Sequence, residues 1–387
     1  MRDLIFRGSR RLLARRLSML ARPGEQGAIG VLVAVLVAGG VLFGMGALVI
    51  DVGQIYQNRA ELQNGADAGA VAVAKSCVAG LCTSTIASTY ANANASKLTG
   101  GTADVNLVCG SGILGACPAS TGKITDCPAA PPSGTNYVDV HTSTELPGGS
   151  HLLPPVFART LAGNGNYQGT TVYACAQAEW GAPSTATTVA YTISACTWDK
   201  YTNQGQTLAS PPPYSPPYSS LTSVDTVVYE HGSTNNTICP AQYQEPSGSD
   251  GPGNFGWTSD TGTCSVTITN NTYPGSTGAS ANSDCLTALY NAWSTQSTIY
   301  LPVYTAATGS GNNLLYTLKG FAAFVVTGYY FPGSAGQQAK EKDWVTGNYP
   351  CNGSNFCLSG FFTHGLISSV GGLGGPNLGA YIVKLTG

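Results

Sequence analysis

Apolar residues run without a charge from Ala28 to Ile50, 23 positions that end at Asp51. As a helix rising about 1.5 Å per residue they reach about 34 Å, more than the roughly 30 Å hydrocarbon core of a bilayer. The run predicts a transmembrane helix over 28–50. It is longer than the about 7–15 apolar residues of a cleaved signal, so the reading is an uncleaved anchor. Beyond Asp51 the pattern changes period. Val52, Ile55, Tyr56, Leu62, Ala66, Gly69, Ala70 and Val73 recur at spacings mostly of three or four, with Asn58, Glu61 and Asn64 between them. That spacing predicts that the helix continues, amphipathically, to about Ala74. Its small residues Gly65, Ala66, Ala68, Gly69, Ala70 and Ala72 leave two readings open. They serve close contact with another chain, or they cover the core of this one.

After Cys77 the helical period fades, apart from a short stretch at 86–98. Short alternating or β-branched runs predict strands over 104–108, 137–142, 171–180, 188–194, 225–230, 265–269, 298–304, 316–327, 358–367 and 380–385. Gly, Pro, Asn and Ser clusters separate them. The fold class expected is α+β: an N-terminal transmembrane helix extended into an amphipathic helix, then a disulfide-bonded, mostly antiparallel β region. The segment Pro211–Tyr218 predicts an exposed polyproline linker or a long loop over 206–223, and Glu245–Gly253 another loop. The organisation read is a basic arm 1–24, an N-terminal domain 25–76, β-rich regions 77–205 and 224–387, and the Pro-rich segment between them.

Charge orients the chain. Seven arginines lie within the first 22 residues, whereas residues after 60 carry 16 acidic against 9 basic side chains. Basic excess stays on the cytoplasmic side, so the bulk is expected outside, with lipid as one partner. All twelve cysteines follow the apolar run. An even set on the exported side predicts a disulfide framework, with Cys77–Cys82 and Cys351–Cys357 favoured as short loops. Zinc is the rival reading, but no pair of CxxC-like knuckles is present.

Candidate chemistry is thin. His141, His151, His231 and His364 lie far apart and none begins an HExxH pattern. No GxSxG elbow or phosphate-cradling GxxxxGK[ST] loop occurs. Asp225, Glu230, Asp260 and Asp284 are not marked as a catalytic pair. The expectation is a protein without enzymatic activity, cofactor, metal or small-molecule substrate. Nucleic acid is not expected either, because the region after the span is net acidic. The chain's Tyr residues are expected to fill sheet faces.

Glu25-Gln26-Gly27-Ala28, then Asp51-Val52-Gly53, Tyr56, Arg59, Leu62-Gln63 and Ala66-Asp67-Ala68 carry a specific resemblance. Over about 25–74 the chain resembles the N-terminal domain of TadE/TadG-like Flp pilus-assembly proteins, with Gly65 and Gly69 where the family usually has alanine. Gly253–Trp257, Ile299–Val303 and Gly320–Phe324 with Thr327-Gly328-Tyr329 also look TadG-like. Some relatives carry a von Willebrand factor A domain, whose DxSxS motif is absent here; Asp260-Thr261-Gly262 is the nearest approach. The resemblance implies a membrane-anchored structural or assembly component of a Tad/Flp-type pilus or secretion system. Its partners would be other pilus or pseudopilin components. They would be met through Asp51, Tyr56, Arg59, Gln63, Ala66, Asp67, Ala70 and Val73. A surface adhesin or cell-wall-binding protein that borrows the anchor is the alternative.

Overall fold

The computed structural model describes residues 26–38, 41–95, 97–98, 101–123, 125–131, 135–157, 168–229, 255–258, 262–276, 282–309, 313–334, 339–368 and 371–386. The arginine arm, Glu25, Gly39, Gly40, Glu230, His231, Cys239, the 245–253 loop and Asp260 lie outside them. The chain divides into two compact units. One comprises 1–62, 97–102 and 143–173; the other comprises 63–96, 103–142 and 174–387.

Helix α1 spans Gln26–Ala38 and α2 spans Val41–Val78. Among the described residues no helix is long and apolar enough to cross a membrane. The expected single span over 28–50 is therefore not described as one element. Its apolar run is divided between α1 and the first turns of α2, with residues 39–40 outside the description. The amphipathic continuation of α2 runs through Ala74 and ends at Val78. Helix α3 follows at Ile86–Asn94.

In the first unit, Asn58 and Leu62 of α2 are buried. The loop after residue 143 is held by an isolated bridge between Leu153 and Thr170. His151 Nδ1 lies 2.9 Å from the Thr144 carbonyl.

The second unit holds most of the β structure. Strands β1 (Thr102–Gly110), β2 (Asn136–Glu145) and β3 (Tyr173–Gly181) join β16 (Ala380–Leu385) and β14 (Gly365–Leu366) in a five-stranded sheet ordered β1-β2-β3-β16-β14. Residues alternate across a strand. Val138, Val140, Ala176, Ala178 and Trp180 thereby share a core with Ala66, Ala70, Val73 and Ala74 of α2 and Ala87 of α3.

A nine-stranded sheet has the path β6-β13-β11-β10-β5-β7, where β5 is Tyr191–Ser194, β6 Thr226–Tyr229, β7 Phe255–Trp257, β10 Thr298–Thr308, β11 Leu315–Tyr330 and β13 Cys357–Thr363. The short strands β9 (Thr272–Pro274), β12 (Lys340–Glu341) and β15 (Asn377–Leu378) pair with β11. Strands β4 (Ala186–Val189) and β8 (Ser265–Ile268) form a separate antiparallel pair. Most pairings among the described strands are antiparallel; β10 with β5, β11 with β15 and β14 with β16 are parallel. The class is α+β.

Helix α4 (Ala195–Thr202) starts where Ser194 accepts the Thr197 amide. Helix α5 (Ser283–Thr295) starts where Asn282 accepts the Cys285 amide, 2.7 Å away. Such caps satisfy donors that a helix start leaves open. Leu286 and Leu289 of α5 then enter the core with Leu301, Val303, Phe324 and Val326 of the sheet.

The Pro-rich segment, expected as a linker or a long loop, keeps Pro213, Ser215, Pro216 and Pro217 exposed and lays its tyrosines on a sheet. Tyr214 stands edge-on to Phe361, with ring centroids 5.3 Å apart, and Tyr218 packs against Trp344 at 4.6 Å. Tyr214 and Trp344, with Leu221 and Val224, pack against Val325 and Phe361 of the nine-stranded sheet. Proline fixes φ and lowers the entropy lost on docking, which suits a strap laid over a sheet. Strands from both sides of the segment, β5 before it and β6 after it, lie in that one sheet.

Candidate functional site

The helix residues singled out in the sequence separate into three environments. Asp51 reaches across the first unit: its Oδ1 accepts the amides of Val156 at 2.8 Å and Phe157 at 3.1 Å. This carboxylate holds a loop more than a hundred residues away. Gln63 and Asp67 form an i, i+4 hydrogen bond of 2.9 Å, and the same Gln63 Nε2 donates to the Cys175 carbonyl of β3 at 3.0 Å. Tyr56 is 69% exposed. Arg59 is half-buried.

Ala66, Ala70 and Val73 are fully buried against this chain's own sheet. The small-residue face is thus occupied by the intramolecular core, the second of the two readings the sequence left open. Gly65 and Gly69 explain the fit. A Cβ at Gly65 would come within 2.9 Å of the Ala91 carbonyl oxygen of α3, and one at Gly69 within 3.3 Å of both the Ala87 oxygen and Val140 Cγ1. Side chains left exposed on α2 include Val49, Val52, Tyr56 and Gln57, in the half before the sheet.

Among its described side chains, helix α1 has no buried face. From Ile29 to Ala38 every side chain is exposed or half-buried, and Ile29, Val31, Leu32 and Val35 are each more than 60% exposed. The apolar surface continues through Met45, Leu48, Val49 and Ile50 of α2.

The structure pairs Cys77 with Cys82, Cys109 with Cys117, Cys127 with Cys175, Cys264 with Cys285 and Cys351 with Cys357. Cys196 is also disulfide-bonded. The first pair locks the end of α2, where the next backbone turn bonds back to Ser76.

Two polar clusters have no counterpart in the sequence motifs. On the face of β2 and β3 away from α2, Asp139 is buried and accepts a 2.9 Å hydrogen bond from Gln177. Burial pushes its carboxyl up to about 6, against the lowering effect of Gln177. His141 lies two residues on, with Nε2 3.6 Å from Cys127 Sγ. Its pKa is lowered by burial, a shift opposed by Asp126. Donor atoms of Cys127, His141 and Cys175 lie within 4.8 Å of one another, as do those of Cys109, Asp139 and His141. A cavity of about 360 Å³ beside them is lined by Asp126, Cys127, Tyr137, Asp139 and His141. These residues come from three strands and a loop, so no spacing rule collects them.

The second cluster lies in the nine-stranded sheet. Thr327 Oγ1 is 2.8 Å from Asp225 Oδ1, 3.1 Å from Asp343 Oδ2 and 3.0 Å from Ser359 Oγ. Asp343 Oδ1 accepts the amides of Val345 and Thr346. Burial, then the adjoining Asp343 carboxyl, push Asp225 up to about 8. Two carboxyls around one hydroxyl resemble a shared-proton pair, but each is already engaged by protein groups.

No curated protein and no solved structure matches the chain at a significant level. A family model does match its N-terminal part. Residues 27–76, which are most of α1 and α2, match the Tad family, described as putative Flp pilus-assembly TadE/G-like, so the likeness read from Asp51, Tyr56, Arg59 and Gln63 is shown over this segment.

Proposed function

We propose that this protein is a non-catalytic, membrane-anchored component of a Tad/Flp-type pilus or secretion system, with its N-terminus cytoplasmic and its β-rich part outside. The observation that carries this reading is the pairing of the family match with an apolar α1 that has no buried side chain from Ile29 to Ala38. A helix that is apolar all round and unburied by its own chain takes its apolar surroundings from elsewhere, and lipid is the simplest source. The arginines before the apolar run favour a cytoplasmic N-terminus. The cysteine pairs after it suit an oxidising compartment.

In this reading α2 has two jobs. Beyond Gln63 it belongs to the core of the exported domain. Before that it presents Val49, Val52, Tyr56 and Gln57 to a helix of another pilus or pseudopilin component. The partner-facing surface is thereby moved towards the membrane from Ala66, Ala70 and Val73.

The test is fractionation with protease on intact spheroplasts. The chain is expected in the membrane fraction after a carbonate wash, with residues beyond 80 digested and the first 20 protected. Release by carbonate, or digestion confined to the arm, would overturn the anchor.

A further inference from the structure

The segment Leu152–Phe157 is pinned beside the end of the apolar run. Asp51, the residue that ends the run, accepts the Val156 amide on Oδ1 at 2.8 Å and the Phe157 amide on Oδ1 at 3.1 Å and Oδ2 at 3.2 Å. Side chains on a helix lean towards its N-terminus, so this carboxylate and the two amides it holds sit over the turn that still belongs to the run. Ala47, on the same face one turn earlier, is buried, whereas Met45, Leu48, Val49 and Ile50 are exposed. The chain therefore covers one face of α2 at the level of the apolar run.

Two features suit this segment to an apolar medium. Leu152, Val156 and Phe157 are 43%, 54% and 42% exposed, and from Leu146 to Phe157 the sequence has no Asp, Glu, Lys or Arg. The backbone also leaves no donor open. The Leu152 amide donates to Ser150 Oγ at 3.3 Å and the Leu153 amide to the Thr170 carbonyl at 2.9 Å. Pro154 and Pro155 have no N–H, and Asp51 takes the amides of Val156 and Phe157. Unmet backbone donors are what keep most loops out of lipid, and here every one from 152 to 157 is met inside the chain.

We propose that Leu152, Val156 and Phe157 enter the outer boundary between head groups and acyl chains, as a second, non-spanning lipid contact beside the anchor. The inference rests on the membrane-anchored reading above. The occupant is lipid because Asp51 ties the segment to the end of a run whose Met45, Leu48 and Ile50 are themselves exposed and apolar. Interfacial elements of this kind bury their apolar side about 5–10 Å into that boundary. Interfacial anchors also set the tilt and rotation of a span, so this contact fixes which face of α2 is turned away from the loop and left for a partner.

The test reconstitutes the full chain in phosphatidylcholine vesicles whose acyl chains carry bromine, a quencher of tryptophan emission, either near the head groups or near the chain ends. Phe157→Trp adds one tryptophan to the five of the wild type, whose emission is subtracted. Val35→Trp, in α1, reports on the anchor in the same vesicles. The added emission of Phe157→Trp is expected to lie to the blue of tryptophan in water and to be lost to the shallow bromines more than to the deep ones, while Val35→Trp is quenched by the deep ones. Quenching of Val35→Trp with none of Phe157→Trp would overturn the second contact and leave the anchor standing. No quenching of Val35→Trp would overturn the anchor, and this contact with it. If Phe157→Trp alters the far-ultraviolet dichroism, Val156→Trp takes its place and the same outcomes decide. A photo-crosslinking residue at position 157 in cells separates the occupants: adducts to lipid support the contact, and adducts to another protein in their place overturn it.

Discussion

At the scale of single residues, the buried acid pair gives the fold a pH dependence with a definite sign. Asp225 has a folded pKa pushed up to about 8, above its unfolded value, so the folded state binds the extra proton between about pH 4 and 8. Stability from this group is complete below the unfolded pKa and is lost as pH rises through the folded one. At the steepest point one proton changes stability by about 1.4 kcal/mol per pH unit. His141 and His364, lowered by burial, act in the opposite direction at acid pH, so the comparison must be between variants. Asp225→Asn keeps an acceptor for Thr327 and cannot ionise. Its melting temperature should exceed that of wild type at pH 8, with the gap closing towards pH 5. A gap independent of pH between 5 and 8 would remove the proton from this account. The sequence pointed to Asp225 only as one unmarked carboxylate. Its partner Asp343 is brought close by Gly328, where a Cβ would stand 2.5 Å from the Asp343 amide nitrogen.

At the scale of elements, the junction of α2 and α3 turns a weakness into a fit. Glycine inside a helix costs about 1 kcal/mol relative to alanine. Gly65 and Gly69 recover it by letting the α3 backbone approach, beside the buried Ala66, Ala70, Ala87 and Ala91. Gly65→Ala should therefore destabilise the fold, by about 1–3 kcal/mol from overpacking, despite its better helix propensity. Gly53→Ala is the control, because nothing lies within 4 Å of its Cβ position, and it should be neutral or stabilising. Denaturant melts of both variants check this; a stabilising Gly65→Ala would mean that α3 does not sit there. Periodicity made α2 and most of the longer strands legible. It read 188–194 and 358–367 as single strands, whereas the chain changes sheet at Ala190 and His364. An apolar run does not reveal which sheet it joins. Helix α4 was hidden because its eight residues are too short to show a helical period, and α5 because Ser283, Thr287, Asn291, Ser294 and Thr295 favour caps and turns more than helix interiors. Capping by Ser194 and Asn282 and burial of one face outweigh that preference.

At the scale of the whole molecule, the class and the N-terminal likeness were legible because they rest on long, patterned stretches. The site was less so. Family-like polar residues suggested a partner-facing helix, yet Asp51, Gln63 and Asp67 bond within the chain and the small face lies in its core. A sequence records that a face is small and patterned, not whose surface fills it. In the proposed function, the surface offered to a partner is the part of α2 before Gln63 that carries the exposed Val49, Val52, Tyr56 and Gln57. The most direct test places a photo-crosslinking residue at Tyr56 or at Ala70 in cells that assemble the pilus. The account predicts adducts from position 56 to another Tad/Flp component and none from position 70 at normal folding. Adducts from position 70 in the folded protein, or none from position 56 while the pilus assembles, would contradict it.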